Sequence, residues 1–215
     1  QDHIATSFSS IPIAWTRGTG TTVGDPSPFT SAGLSSASVR GTNYLFDGFR
    51  ILTATNPSAE VVHLTDVSAS VTGIVIANIR AICSCANYLI ALMKDNTIAW
   101  SSTTTPLDFT ASLVSGAGSQ IPADLQAPGA FLAEAPNAFY IYTASGVVYA
   151  SYTGNSRYPF KFNAVENSGG YTWPTQVSSN RTKATQYAID NSRNIRVINP
   201  NRAELIAPEV STFLE

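Results

Sequence analysis

The sequence predicts an all-β fold, a β-propeller-like array of about five hairpin units. Three observations predict it. Short strand-like runs flank tight turns, the runs recur at a near-constant spacing, and sustained amphipathic helical periodicity is scarce. Charged residues make up only 12% of the 215 residues, about half the usual globular share. Ser, Thr, Gly, Asn and Pro fill the difference, as in a turn-rich β protein.

The hairpins are read in chain order. Tyr44-Leu45-Phe46 and Phe49-Arg50-Ile51-Leu52 flank Asp47-Gly48, a favoured two-residue turn. Tyr88 to Leu92 and Thr97 to Trp100 flank Lys94-Asp95-Asn96. Phe139 to Tyr142 and Val147 to Tyr149 flank Ala144-Ser145-Gly146. Gln186 to Ile189 and Ile195 to Ile198 flank Asp190 to Asn194. With Tyr44, Tyr88, Phe139 and Tyr187 as equivalents, the steps are 44, 51 and 48 residues, the range of propeller blades. Asn43-Tyr44-Leu45 recurs as Asn87-Tyr88-Leu89, and Ile13-Ala14-Trp15 as Ile98-Ala99-Trp100.

The exits repeat too. Pro26 to Ser31, Pro106 to Ala111 and Pro159 to Ala164 share the pattern Pro-x-x-Phe-(Thr/Asn)-small, while Asn56-Pro57 and Asn199-Pro200 carry a turn signal alone. Proline ends ladder pairing because it has no N–H. The Phe three residues later is expected to swing back as an apolar plug between sheets. Trp15, Phe29, Trp100, Phe109 and Phe162 are therefore the candidate repeat-core residues. The half-unit before Trp15 suggests entry in mid-blade, so residues 1–215 read as a single propeller-like domain or a segment of one. Thr16 to Pro28 and Val114 to Pro128 read as long connections.

The chemistry of the chain is sparse. The formal net charge of -2 excludes nucleic-acid binding through bulk positive charge, and two cysteines exclude a disulfide scaffold. Cys83 and Cys85, two apart, read as small buried hydrophobes. His3 and His63 lie in no nucleophile signature and leave a metal site without partners. No metal, cofactor or catalytic residue is assigned. No run is long and apolar enough to span a bilayer. Asp47, Asp66, Asp95, Asp108, Glu134, Glu166 and Asp190 are the candidates for a catalytic carboxylate pair, of which Asp47, Asp95 and Asp190 fit turn roles. The Gly-rich stretches Gly18 to Thr22 and Gly116 to Ser119 lack a phosphate-loop pattern and read as loops. Asn180-Arg181-Thr182 has glycosylation spacing. Trp173, in Gly169-Gly170-Tyr171-Thr172-Trp173-Pro174, has no repeat partner, so Tyr171 and Trp173 are the candidate exposed contacts.

Asn96 to Ser102 followed by Pro106-Leu107-Asp108-Phe109-Thr110 resembles a recurring pattern of phage tail proteins, in which a strand ends in Trp-Ser and a Pro-x-Asp-Phe turn follows. Phe139 to Tyr149 and then Gly154 to Phe160 continue it. The resemblance covers about Ala81 to Gly170 and is to the propeller-bearing nozzle, tubular protein B-like and tail hub proteins of short-tailed bacteriophages. It implies a virion tail component without enzymatic activity. Its subunits would form a homo-oligomeric ring, typically a hexamer, around the DNA exit channel beside adaptor and fibre proteins. Two alternatives stay open. One is a receptor- or glycan-binding module acting through Tyr171 and Trp173. The other is a propeller glycoside hydrolase using Asp108 and Glu134 in a central pocket.

Overall fold

A computed structural model describes residues 34–58, 61–178 and 183–206. Among them are sixteen strands in four antiparallel sheets, each a meander of four consecutive strands. The first sheet holds β1 (Leu34–Val39), β2 (Thr42–Asp47), β3 (Ile51–Ser58) and β4 (Val61–Asp66). The second holds β5 (Ile79–Cys85), β6 (Tyr88–Met93), β7 (Ile98–Trp100) and β8 (Gly118–Gln120). The third holds β9 (Gly129–Ala135), β10 (Ala138–Thr143), β11 (Val147–Tyr152) and β12 (Phe160–Val165). The fourth holds β13 (Val177–Ser178), β14 (Gln186–Ile189), β15 (Ile195–Ile198) and β16 (Ala203–Leu205). The expected all-β, propeller-like array is therefore present, and each predicted hairpin is the middle pair of a sheet. The half-unit with Trp15 and Phe29, His3, and the Asn180 to Thr182 triplet lie outside the described residues.

Strand side chains alternate between faces, so a strand buried throughout needs a neighbour on each side. Every residue of β6 and β10 is buried. Leu89, Ala91 and Met93 join Tyr44, Phe46 and Ile51 in a cluster between the first two sheets. Tyr88, Ile90 and Leu92 join Phe139, Ile141 and Val148 between the second and third. Tyr140 and Tyr142 meet Ala188, Ile198 and Ala203 between the third and fourth. The sheets are thus stacked face to face in chain order, as blades are. Their first strands converge, with β1 against β5 and β5 against β9.

An inner strand pairs on one edge only, which leaves alternate N–H groups without a ladder partner. Side chains of the neighbouring inner strand take up two of those on β5. Ser35 Oγ accepts from Ile82 N at 2.9 Å, and Glu134 Oε1 accepts from Ser84 N at 2.8 Å and Ser84 Oγ at 2.7 Å. Arg80 Nη1 donates to Gly129 O at 2.8 Å. These bonds tie the first three sheets together at their centre.

The middle turns share a hydrogen-bond position. Asp47, Met93, Thr143 and Asp190 each donate their backbone N–H across the turn, to Arg50, Thr97, Gly146 and Asn194. Three of them also lock the turn with a buried side chain. Asp47 Oδ1 accepts from Phe49 N and Arg50 N, while Oδ2 pairs with Arg50. Thr143 Oγ1 accepts from Ser145 N and Gly146 N. Asp190 Oδ1 accepts from Ser192 N and Asn194 N, and its Oδ2 meets Arg196 Nε at 2.6 Å. A serine after the fourth strand adds to this, since Ser68 and Ser168 accept from the first N–H of β3 and β11.

This common position corrects the register read from sequence. The equivalents of Tyr44 are Ile90, Tyr140 and Tyr187, not Tyr88 and Phe139. The Asn-Tyr-Leu identity misled because Asn87, at φ 69°, belongs to the tight β5–β6 turn, whereas Asn43 lies within β2. Trp100 is buried between the second and third sheets. Its counterparts across the ladder are Thr53, Tyr149 and Val197, so tryptophan is not a repeated residue among the described sheets.

The Pro-x-x-Phe exits also diverge. Phe109, in the loop between β7 and β8, is buried between the first two sheets. A Cβ on Gly73 would stand 2.3 Å from the Phe109 backbone carbon, so the approach requires glycine there. Phe162 lies in β12 and is half-buried, and Phe160 takes the deep place instead. Its ring stands edge-on to Tyr88, Trp100 and Phe139 at 5.4 to 5.6 Å. Two turn and loop readings give way as well. Asn56-Pro57 lies inside β3 where the β3–β4 register shifts, a bulge that tolerates proline. Gly118-Ser119 belongs to β8, and a Cβ on Gly118 would meet the Trp100 ring at 3.0 Å.

Two outcomes are expected. Trp100→Ala should cost about 3–5 kcal/mol in denaturant unfolding, since it empties a filled boundary; a loss under about 1 kcal/mol contradicts this packing. Burial opposes ionisation of Asp190, but hydrogen bonds from Arg196 and Asn194 outweigh it and hold the carboxyl below its ordinary value. A depressed carboxyl stabilises the fold above about pH 4 and loses that contribution as pH falls through the folded value. Unfolding midpoints should fall more steeply on acidification in the wild type than in Asp190→Asn. Parallel curves would show that the turn carboxylate is not coupled to folding.

Candidate functional site

The described residues place a depression of about 520 Å³ where three middle turns meet the starts of the inner strands. The β2–β3 turn brings Gly48 and Phe49, the β6–β7 turn Lys94, and the β10–β11 turn Ala144. Ile79 and Arg80 of β5 and Pro128 and Ala130 at the β9 entrance form the floor, and residues 171–174 close the far rim. A smaller axial cavity of about 140 Å³ lies beneath and shares Arg80, Ala130 and Pro174 with it.

The rim is aromatic and held in place. Phe49 is 65% exposed, on a turn whose backbone Asp47 locks from below. Trp173 is 53% exposed on a fixed backbone. Gln176 Oε1 accepts from Thr172 N and Trp173 N, each at 2.8 Å, while its Nε2 donates to Ile189 O and Asn191 Oδ1. Upstream, Tyr171 N donates to Thr143 O, and Asn191 N to Gly170 O. A Cβ at Gly170 would fall 1.9 Å from Ala144 O, so only glycine lets the strand of chain pass. Trp173 is thus a large aromatic surface presented by a pinned loop.

Two cations stand in this wall, Arg80 and Lys94. Lys94 Nζ donates to Ala77 O at 2.7 Å, which fixes the ammonium while it keeps further donors. None of the described residues that line the depression is acidic.

Tyr171, expected as an exposed partner of Trp173, is instead fully buried. Its hydroxyl donates to Ser168 O, and its ring stands edge-on to Tyr142 at 5.1 Å. Tyr171 anchors the segment, and Trp173, two residues on at the start of the 3₁₀ turn Pro174–Gln176, shows. The two acids considered together are occupied separately. Asp108 Oδ1 accepts from Thr72 Oγ1 at 2.7 Å and from Thr110 N, and these bonds hold its carboxyl below the ordinary range. They tie the loop after β7 to the segment joining the first two sheets. Glu134 sits on β9 against Ser84 of β5. Cys83 and Cys85 are buried on one face of β5. Burial, and then the charge of Glu134, pushes the Cys85 thiol up to about 12, so it stays protonated and unreactive. Phe49 and Lys94 escaped sequence reading because each sits in a turn, where exposure looks ordinary until the turns converge.

Trp173→Ala should change folding stability by no more than about 0.5 kcal/mol, whereas Tyr171→Ala should cost about 3 kcal/mol or more. Equal losses, measured by thermal or denaturant unfolding, would contradict the assignment of one ring to the surface and the other to the core.

No family model matches the chain, and no curated protein does. Among solved structures, apo AztD from Citrobacter koseri is similar at 18% identity and a TM-score of 0.45, over 84% of this chain and 47% of that one. The chain therefore spans about half the length of that structure.

Proposed function

We propose that this chain is a structural component of a bacteriophage tail, of the nozzle or hub kind, and works by packing against other subunits in the virion. The observation that carries the assembly part is the outer face of the fourth sheet. Phe46, Leu92 and Tyr142 occupy one register position and are fully buried against the following sheet. Their equivalent in the fourth sheet, Ile189, is 43% exposed, and Tyr187 beside it is 54% exposed. Ile195 and Val197 lie opposite them on the same face. This surface has the residue pattern of an internal blade boundary, yet no sheet among the described residues covers it. Such a face favours association with further apolar surface.

The tail assignment rests on the resemblance of about Ala81 to Gly170, a stretch that takes in nearly all of the second and third sheets. In this reading the neighbours are copies of the chain in a ring, with adaptor and fibre proteins beside it. The axial cavity of about 140 Å³ has room for a few waters and none for a DNA duplex. A DNA passage would therefore lie between subunits and not through the blades. Among the described residues no helix is long and apolar enough to cross a membrane.

Sedimentation velocity should find a mass several times 22.8 kDa. Ile189→Asp should reduce it to that of one chain with the β spectrum unchanged. A monodisperse monomer at high concentration, or an Ile189→Asp protein that loses stability without changing mass, would overturn the assembly reading.

A further inference from the structure

We infer that the depression at the mouth of the array is a binding site for an acidic saccharide. The inference stands whether or not the chain assembles in a tail, because it uses only residues of one subunit. Three features converge on that ligand class. Phe49 and Trp173 offer large exposed rings from opposite sides, and Trp173 is held by the Gln176 clamp and not by a mobile loop. Flat aromatic faces pack on the apolar C–H face of a pyranose, where the hydroxyls point to the edge and stay in water. Lys94 and Arg80 bring positive charge into the same wall, and no acid among the described lining residues offsets it. A carboxylate on the sugar would complement that charge through bonds of the stronger, charge-assisted kind.

Size and charge distribution favour a saccharide over a nucleic acid strand. A volume of about 520 Å³ suits one to three rings. A single-stranded nucleic acid needs a cationic groove that follows its phosphates over several nucleotides. Here the cations are a local pair in a chain of net charge -2. The cations also serve the site's own geometry. Arg80 fixes the β9 entrance through Gly129 O, and Lys94 caps Ala77 O, so each is positioned before any ligand arrives.

The test is titration calorimetry of the full chain with trisaccharides of galacturonate, hyaluronan and sialate, each beside its carboxyl-esterified counterpart, and with oligothymidylate. At least one acid form should bind in the micromolar to millimolar range, at least tenfold tighter than its ester, and more weakly as salt rises. Trp173→Ala and Lys94→Met should each weaken binding tenfold or more with an unchanged melting temperature, and Trp173→Phe should recover part of the loss. Phe49→Ala gives a second probe of the rim on a separate sheet. Absence of binding by every acid form at millimolar concentration overturns the inference. So does equal binding of the esters, affinity unaffected by Trp173→Ala and Lys94→Met, or preference for oligothymidylate.

Discussion

Burial of the middle strands on both faces is the constraint from which the architecture follows. A β6 or β10 with every side chain inside cannot be satisfied by one sheet packed on one partner. Odd and even positions must feed separate boundaries, so a second sheet recruits a first and a third. The aromatic content of those boundaries then sets their thickness. Phe160 against Tyr88, Trp100 and Phe139 fills one of them. Stacked Phe131 and Tyr142, at 4.7 Å, fill the next.

Stacking of this kind creates an electrostatic problem at the centre, where the inner strands have an unpaired edge. Ser35 and Glu134 resolve it by accepting from N–H groups of β5. The solution spends polar side chains in a region that could otherwise serve as a pocket. The axial cavity is small and its acid is already bonded, which leaves the mouth as the place for the proposed ligand site. There the β2–β3 turn, locked from beneath by Asp47, presents Phe49, while Gln176 fixes Trp173 and backbone carbonyls fix Lys94 and Arg80. Structural economy at the axis and display at the rim are two results of one arrangement.

The same logic makes the fourth sheet distinctive. Its face toward the third sheet is closed by Ala188, Ile198 and Ala203. Its other face repeats the apolar positions of the internal boundaries without their burial. The proposed assembly surface and the proposed ligand site thus lie on different parts of the molecule, one the flank of a sheet and the other the end of the stack.

The order of residues alone made the four middle hairpins and the approximate repeat legible. Those depend on neighbours in the chain: turn residues such as Asp47-Gly48 and Asn199-Pro200, and runs of alternating or continuous apolar residues. Cys83 and Cys85 were legible as buried for the same reason. Tertiary structure decided everything that turns on register and convergence. A two-residue offset separates Tyr88 from the true equivalent Ile90, and local identity around an asparagine could not reveal it, because tight-turn and strand asparagines look alike in a string. Phe160 and Phe162 face the same boundary, and which of them lies deep depends on how far the neighbouring sheet covers β12; Trp173 faces water because the chain turns at Pro174–Gln176. The mouth site draws on Phe49, Lys94 and Trp173, residues from three units brought together only when inner strands converge. That convergence is a property of the packed sheets and not of any segment within them.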